Sequence, residues 1–198
     1  MPPEAARDGE LAVLRYFVDT EFIEDGHTID LISIGVVCED GREFYAESQN
    51  ADLNRAGEWV KANVLPHLWN RQLDKREGNR WTRDGGTGGF LPRGMIANDL
   101  RRWVGQGDGR PQFWGYYADY DWVAVAQLYG TMLDLPDGWP MFCMDLKQLA
   151  VEKGNPKLPE QSSTEHHALA DARWNAEVYA FLRSLQAGTA ARGGESDG

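Results

Sequence analysis

The sequence predicts an α/β fold in which one mixed β-sheet is flanked by α-helices. Two observations lead to this prediction. Three runs of strand length, rich in apolar and β-branched residues, come first, and beyond residue 50 segments with helical spacing alternate with short strand-like runs. Strands followed by alternating helices and strands are typical of layered α/β domains. The 198 residues are enough for one such domain with a substantial core.

The three leading strands form the most regular part of the pattern. The first is predicted over Leu11–Thr20, the second over Ile29–Cys38 and the third over Arg42–Ser48. Glu39-Asp40-Gly41 lies between the last two and favours a tight turn. The second and third strands are therefore expected to form a hairpin.

The rest of the chain predicts alternating helices and strands. Predicted helices cover residues 55–64, 95–104, 121–129, 145–152 and 168–185, and predicted strands cover 111–117 and 140–144. The last helix is the clearest, because its apolar residues recur along a single stripe. Residues 71–93 are rich in Gly and Arg without periodicity and predict a long loop. A disordered leader (1–10) and a flexible tail (188–198) are expected to flank a single domain over 11–187.

The charge distribution limits how this protein can meet nucleic acid. The net charge is −11, which argues against binding by overall electrostatic attraction. Residues 71–110 nevertheless carry nine basic and five acidic side chains. That segment either meets phosphates or is an exposed loop of mixed charge. No apolar run is long enough to span a bilayer, so we expect no membrane association.

The cysteines suggest a compartment. Cys38 and Cys143 lie within apolar runs and lack the spacing of a metal or redox motif. They are therefore expected to be small core residues, which suits the reducing cytoplasm.

The first chemically informative segment is Phe17-Val18-Asp19-Thr20-Glu21-Phe22. A predicted strand ends here in two acids, Asp19 and Glu21, two positions apart. Side chains with that spacing on a strand point to the same side, so both carboxylates can converge on one ion. Burying such charges costs several kcal/mol unless they are paired or metal-bound. Acids at strand ends are common, however, and a purely structural role remains open at this point.

A second strand leads into acids at the predicted start of a helix. Asp119 and Asp121 flank Tyr120 there. Either aspartate would ordinarily be explained as a helix cap, which accepts hydrogen bonds from unpaired backbone N–H groups.

The third segment precedes and opens the last helix. Asp171 lies early in that helix among alanines, and the pair His166-His167 comes just before it. Five positions separate His166 from Asp171, which places them well apart around an ideal helix. His166 would therefore act best from the loop or first turn ahead of the helix. A solvated histidine pair is the alternative.

Taken in this order, the three segments resemble the DEDD superfamily of 3′→5′ exonucleases, in its histidine-containing branch. Asp19-Thr20-Glu21 matches the Asp-x-Glu motif, Tyr120-Asp121 matches the aromatic-Asp motif, and residues 166–171 match His-x-Ala-x-x-Asp. Residues 16–26 and 31–37 are also similar to the actinobacterial adenylate-preferring exoribonucleases, ribonuclease AS. The resemblance covers roughly residues 14–185 and departs in the Arg/Gly-rich stretch 71–93. It implies a ribonuclease H-like sheet and a single exonuclease domain.

The resemblance also implies a role for each motif residue. Two Mg²⁺ ions, for which Mn²⁺ can substitute, would be held by Asp19, Glu21, Asp121 and Asp171. Asp19 would bridge the ions, Glu21 and Asp171 would complete the first, and Asp121 would hold the second, with Asp119 as an alternative. His166 would be the general base and contact substrate, because an unperturbed imidazole has a pKa of about 6.5.

Two further residues are expected to contact the substrate. Phe22 follows Glu21 directly and is a candidate to pack against the terminal base or ribose, although a plain core role is equally open. Main-chain groups of Thr20 are expected to contact the terminal ribose.

The implied substrate is the 3′ end of single-stranded RNA, with nucleoside 5′-monophosphates as products. The family also implies a homodimer. Three alternatives stay open: a DNA-directed exonuclease of the same branch, an oligoribonuclease acting on very short RNA, and a catalytically silent nucleic-acid-binding domain. Only the silent domain has no need of all five motif residues.

Overall fold

The computed structural model describes residues 12–69, 80–83, 86–161 and 165–185, and for residues 80–83, 86 and 87 only the backbone. The predicted leader and tail lie outside the described residues. The strands are β1 Val13–Glu24, β2 Ile29–Cys38, β3 Glu43–Ser48, β4 Arg80–Arg83, β5 Gly86–Leu91, β6 Arg110–Gly115 and β7 Met144–Asp145. The helices are α1 Glu58–Asn63, α2 Arg93–Val104, α3 Asp119–Gln127, α4 Leu146–Glu152 and α5 Ala168–Ser184.

The strands form one mixed sheet in the order β4-β5-β3-β2-β1-β6-β7. The pairs β1–β2, β2–β3 and β4–β5 are antiparallel, whereas β1–β6, β6–β7 and β3–β5 are parallel. The predicted α/β class, the mixed sheet and the leading hairpin are therefore confirmed. None of the helices in the described part of the chain has the length and apolar character needed to cross a bilayer.

Helices cover both faces of the sheet. Alternate residues of β1 point to opposite faces and therefore belong to different cores. Tyr16 and Val18 face a core that includes Ile96 of α2 and Trp122 of α3. Phe17 faces the second core, which is built from α4 and α5. The motif residues at positions 19 and 21 share the side of Phe17 by the same alternation, so they lie beneath α5.

Strand β1 is longer than the sequence predicted. It continues past Thr20 to Glu24, so Asp19 and Glu21 lie within the strand and not at its end. The pairing with β2 shifts its register between Glu21 and Phe22. The prediction placed the end of the strand at the acids because charge usually marks a strand terminus. Here β2 pairs with the chain up to Glu24, and this pairing extends the strand through the charged positions.

The predicted long loop over residues 71–93 is wrong in part, since β4 and β5 fall within it. Residues 70–79 and 84–85 lie outside the described residues. Strand β5 pairs with β3 on one side and β4 on the other, with Gly88 opposite Tyr45 and Trp81. Backbone pairing of this kind needs no alternating side chains, and a sequence as rich in glycine as GTGGFL provides none to recognise.

The predicted strand over residues 140–144 reduces to Met144–Asp145. Pro140 has no N–H to donate, and Met141 and Phe142 are exposed. Pairing with β6 involves only Trp114 opposite Met144 and Gly115 opposite Asp145. The apolar run was therefore read as buried strand although much of it faces solvent.

Candidate active site

Three carboxylates meet above the middle of the sheet. Asp19 lies opposite Gly35 and Glu21 lies opposite Ser33, so both acids project from the same face of β1. Asp171 projects towards them from the first turn of α5. One oxygen from each of the three carboxylates can be chosen so that all lie within 4.8 Å of one another. Two sequence motifs that are 150 residues apart are thus brought together by the packing of α5 on the sheet.

Asp121 approaches this group from helix α3. It lies in the first turn of α3 and is buried, and its Oδ1 accepts hydrogen bonds from the N–H (2.8 Å) and the hydroxyl (2.6 Å) of Thr20. Asp119, the alternative from sequence, is exposed and does not line the site. The N–H and hydroxyl of Thr20, a residue expected to contact ribose, are therefore already bonded within the protein.

A groove of about 350 Å³ opens onto these acids. Its lining contains every residue named from the motifs: Asp19, Thr20, Glu21, Phe22, Asp121, His166 and Asp171. Four exposed or partly exposed aromatic residues complete it: Trp59, Tyr116, Tyr117 and Tyr120. A smaller adjoining cavity of about 210 Å³ reaches from Asp19 and Asp171 to Gln161 and Asn175.

Burial dominates the electrostatics of the site. It raises the pKa of Asp19 well above its usual range, and the charges of Asp121, Asp171 and Glu21 add to the effect. Burial likewise raises the pKa of Glu21 to about 8 and that of Asp121 to about 7, and it raises the pKa of Asp171. Four such acids cannot all be ionised at neutral pH unless positive charge is supplied.

The donor set fits a hard divalent cation. All four groups are carboxylates, and neither cysteine nor histidine belongs to the three-residue cluster, so Mg²⁺ or Mn²⁺ suits the site better than zinc. Within the described part of the chain, no arginine or lysine forms a salt bridge with any of the four acids. The positive charge that the acids need is therefore expected from bound metal ions.

The two adjacent histidines have different surroundings. His166 lies in the turn before α5, adopts a positive φ of 63° and lines the groove, with its ring edge-on to Trp59 at 4.8 Å. His167 is buried, and its Nδ1 accepts from the N–H of Ala170 as the cap of α5. Burial lowers the pKa of His167 to about 4. His166 alone therefore faces the space above the acids.

Phe22 lies at the mouth of the groove and not in the core. Its ring lies nearly parallel to that of Tyr120, with an interplanar angle of 10° and centroids 5.7 Å apart. The two rings belong to the first and second motifs, and Tyr120 is 51% exposed. Such a pair offers an apolar surface next to the carboxylates on which a base can stack.

Three residues that position the acids were not anticipated from sequence, and neither were the groove aromatics Trp59, Tyr116 and Tyr117. A Cβ on Gly35 would lie 2.3 Å from backbone atoms of Ala168 and Leu169, so the absence of a side chain allows α5 to approach the sheet. Asn175 donates to the carbonyl of Val18 (3.0 Å), next to Asp19. Gln161 donates to Oδ1 of Asp171. Asn175 follows Asp171 by four positions, a spacing that could have revealed it. Gly35 and Gln161 carry no comparable signal.

Comparison with known proteins identifies the family of this chain. Residues 14–182 match the family model described as the 3′-5′ exoribonuclease Rv2179c-like domain. The chain is 44% identical over 161 residues to the 3′-5′ exoribonuclease Rv2179c of Mycobacterium tuberculosis strain H37Rv, a match that covers 81% of this chain and 88% of the relative. The 3′-5′ exoribonuclease MT2234.1 of strain CDC 1551 matches to the same extent.

A solved structure shares the fold. It is that of S. pombe Pop2p in its Mg²⁺- and Mn²⁺-bound form, with a TM-score of 0.52 and 14% sequence identity. The match covers 86% of this chain and 82% of Pop2p. The predicted ribonuclease H-like fold is thereby confirmed.

Proposed function

The chain belongs to the 3′-5′ exoribonuclease Rv2179c-like domain family, and on that premise we propose that it removes nucleotides one at a time from the 3′ end of single-stranded RNA with the help of two divalent cations. The observation that supports this most directly is the cluster of Asp19, Glu21 and Asp171, with Asp121 in the same groove. A binding module has no need of four buried or partly buried acids around one cavity.

The four acids would hold the ions. Asp19, Glu21 and Asp171 are close enough to share one ion, and Asp121, which adds to the charge felt by Asp19, would hold the second together with it. Mg²⁺ is proposed as the usual ion, with Mn²⁺ as a substitute. When bound, such ions supply an acidified water and neutralise charge on the attacking and leaving oxygens.

His166 would move the proton. It lines the cavity with Asp19 and Asp171 and lies outside the cluster of metal-binding acids, so its ring is available to take a proton from the attacking water. The resulting hydroxide would add to phosphorus, the P–O3′ bond would break, and the leaving O3′ would take up a proton from water, so that the shortened RNA ends in a 3′-hydroxyl. The released product is a nucleoside 5′-monophosphate.

Aromatic residues would hold the RNA end. Phe22 packed on Tyr120 is proposed to contact the terminal base or ribose, and stacking of this kind is worth about 1–3 kcal/mol per base. A main-chain contact from Thr20 to the ribose stays part of the proposal, through its carbonyl because its N–H already donates to Asp121. The similarity of residues 16–26 to adenylate-preferring enzymes adds a preference for adenylate 3′ ends. Release of monophosphate from matched A-, U- and C-tailed RNAs would test that preference.

We further propose that the enzyme works in the cytoplasm as a homodimer. Both cysteines are free, Cys38 buried and Cys143 partly buried, which suits a reducing compartment. Light scattering on the purified protein would measure its oligomeric state.

The decisive experiment is a nuclease assay on a 5′-labelled single-stranded RNA with Mg²⁺, with and without EDTA. We expect a ladder of shortened RNAs that EDTA abolishes and excess Mg²⁺ restores. Asp19→Asn and Asp171→Asn should each lose activity by several orders of magnitude while the protein stays folded, because each removes a charge that a metal ion requires.

Asp40→Asn is the matched control, since Asp40 is an exposed acid paired with Arg42 away from the groove and should keep full activity. A DNA of the same sequence and an RNA length series separate the related activities. Full turnover by Asp19→Asn would refute the site, and faster hydrolysis of DNA would point to a DNA-directed nuclease.

A further inference from the structure

The two oxygens of Asp121 are treated differently by the protein. Oδ1 accepts both hydrogen bonds from Thr20, at 2.8 Å from the N–H and 2.6 Å from the hydroxyl. Among the described residues no donor to Oδ2 is found. Both side chains are nearly inaccessible, with Thr20 at 5% and Asp121 at 6% exposure, so this arrangement is part of the packed interior.

The strand pairing explains why the backbone N–H of Thr20 can donate to a side chain. The parallel pairing of β6 with β1 ends at Phe17 opposite Trp114, so β1 continues past the last residue of β6 with which it pairs. An unpaired buried N–H is costly, and here the Asp121 carboxylate accepts from it. The Thr20 side chain points away from Asp19 and Glu21 because alternate residues of a strand face opposite sides. Thr20 thus reaches α3 and not the space between the strand acids.

We propose that Thr20 is a positioning residue that ties Oδ1 of Asp121 to strand β1 and leaves Oδ2 as the oxygen for a divalent cation. This inference rests on the proposed metal-dependent function. Mg²⁺ demands near-ideal geometry, so a carboxylate that is free to rotate or to bind through both oxygens would hold it less well. Residues that orient a metal ligand commonly change metal affinity by about 10–100-fold when they are removed.

The test is a titration of the full chain with Mn²⁺ alone, in which the EPR signal of free Mn²⁺ measures how much metal remains unbound. Thr20→Val keeps the shape of the side chain and removes the hydroxyl, and we expect it to weaken the weaker of the two Mn²⁺ sites by about tenfold. Thr20→Ser restores the hydroxyl and should bind Mn²⁺ within about twofold of the wild type. Thr20→Ala gives the same test if valine is not tolerated.

Thr28→Val is the matched control. The Thr28 hydroxyl also donates to an aspartate, Asp25 Oδ1 at 3.1 Å, but in an exposed turn, so this variant should leave Mn²⁺ binding unchanged. Unaltered Mn²⁺ binding by Thr20→Val, or an equal loss in Thr20→Ser, would overturn the proposal while the nuclease activity of the wild type still stands. A wild-type protein that neither binds Mn²⁺ nor degrades RNA would overturn the proposed function together with it.

Discussion

Two groups of acids lie along strand β1: Glu39 and Asp40, in the turn beside its amino end, form salt bridges with arginines, whereas Asp19 and Glu21, within the strand, form none in the described part of the chain. At the amino end Arg15 lies 3.2 Å from Glu39, and Arg42 lies 2.8 Å from Asp40. Around Asp19 and Glu21 no such salt bridge occurs in the described part of the chain. The acids beside the amino end are thus neutralised by the protein's own arginines, whereas Asp19 and Glu21 need positive charge from outside the protein, which the proposed metal ions would supply.

The pKa shifts of Asp40, beside the amino end of β1, and of Glu21, within the strand, have opposite signs. At Asp40 burial works to raise the pKa, but hydrogen bonds from the Arg42 N–H and guanidinium lower it below its ordinary value. At Glu21 burial and the neighbouring acids raise the pKa to about 8. Acids that keep their protons at neutral pH form no ion pairs that stabilise the fold. Such a loss of stability is expected in a site that binds an external cation.

The two regions also differ in the side chain that lies beside the acids, and the largest expected effect follows from that difference. The Tyr16 hydroxyl at the amino end donates to the carbonyl of Val104, and burial raises its pKa to about 12. At the site, His166 faces the acids. We expect His166→Asn to lower the single-turnover rate on RNA with Mg²⁺ by about 10²–10⁴-fold, because asparagine tolerates the positive φ but accepts no proton.

His167→Asn is the matched control for that loss. His167 is buried as the cap of α5 against Tyr45 and Trp69, so its replacement should lower the Tm and keep most of the activity, since asparagine also caps helices. The reverse ranking of the two variants would assign the general base to His167.

Helix α5 also packs on the sheet differently beside Phe17 and beside Asp19. Towards the amino end the rings of Phe17 and Tyr179 fill the gap, with centroids 5.3 Å apart. Beside Asp19, the backbone of Ala168 lies directly on Gly35. We expect Gly35→Ala to push the start of α5 away, lowering stability by about 1–3 kcal/mol and activity by about 10²-fold. Thermal unfolding and the nuclease rate measure the two losses.

Two comparisons make the Gly35 result specific. Gly94→Ala, in α2 with nothing within 4 Å of the added methyl, should stabilise the protein slightly and leave activity unchanged. Gly35→Ala combined with Ala168→Gly should stay impaired, because the clash is with backbone atoms. An active, stable Gly35→Ala enzyme would show that the approach of α5 does not set the position of Asp171.

The sequence was informative where one element determines the geometry. Period two on a strand placed Asp19 and Glu21 on one side, and the stripe of the last helix located Asp171. It was uninformative where two distant elements meet. Gly35 matters because the register of β1 against β2 sets it beside Asp19 and α5 then crosses it, and neither fact is local. The glycine-rich strand β5 was missed for a related reason, since partner strands and not its side chains define it.

The smallest expected effect is on the pH dependence of folding stability. It tests most directly the contrast between the acids within β1 and those beside its amino end. In the metal-free folded protein Glu21 has a pKa of about 8 and Asp121 of about 7, whereas in the unfolded chain both titrate near pH 4. The folded state therefore binds more protons than the unfolded state between about pH 4 and 8, and the metal-free protein should lose stability as pH rises. Between pH 6.5 and 8 His167 is neutral in the folded state and contributes little.

We expect the Tm in EDTA to fall by a few degrees, on the order of 2–4 °C per kcal/mol, as pH rises from 6.5 to 8, and we expect Mg²⁺ to flatten that slope. Glu21→Gln should reduce the slope in EDTA, because the amide has no proton to lose. Asp40→Asn at the amino end should leave it unchanged, since the lowered pKa of Asp40 keeps that acid ionised throughout this range. If Glu21→Gln and Asp40→Asn gave the same slope, the acids within β1 and those beside its amino end would not differ in the way they are charged.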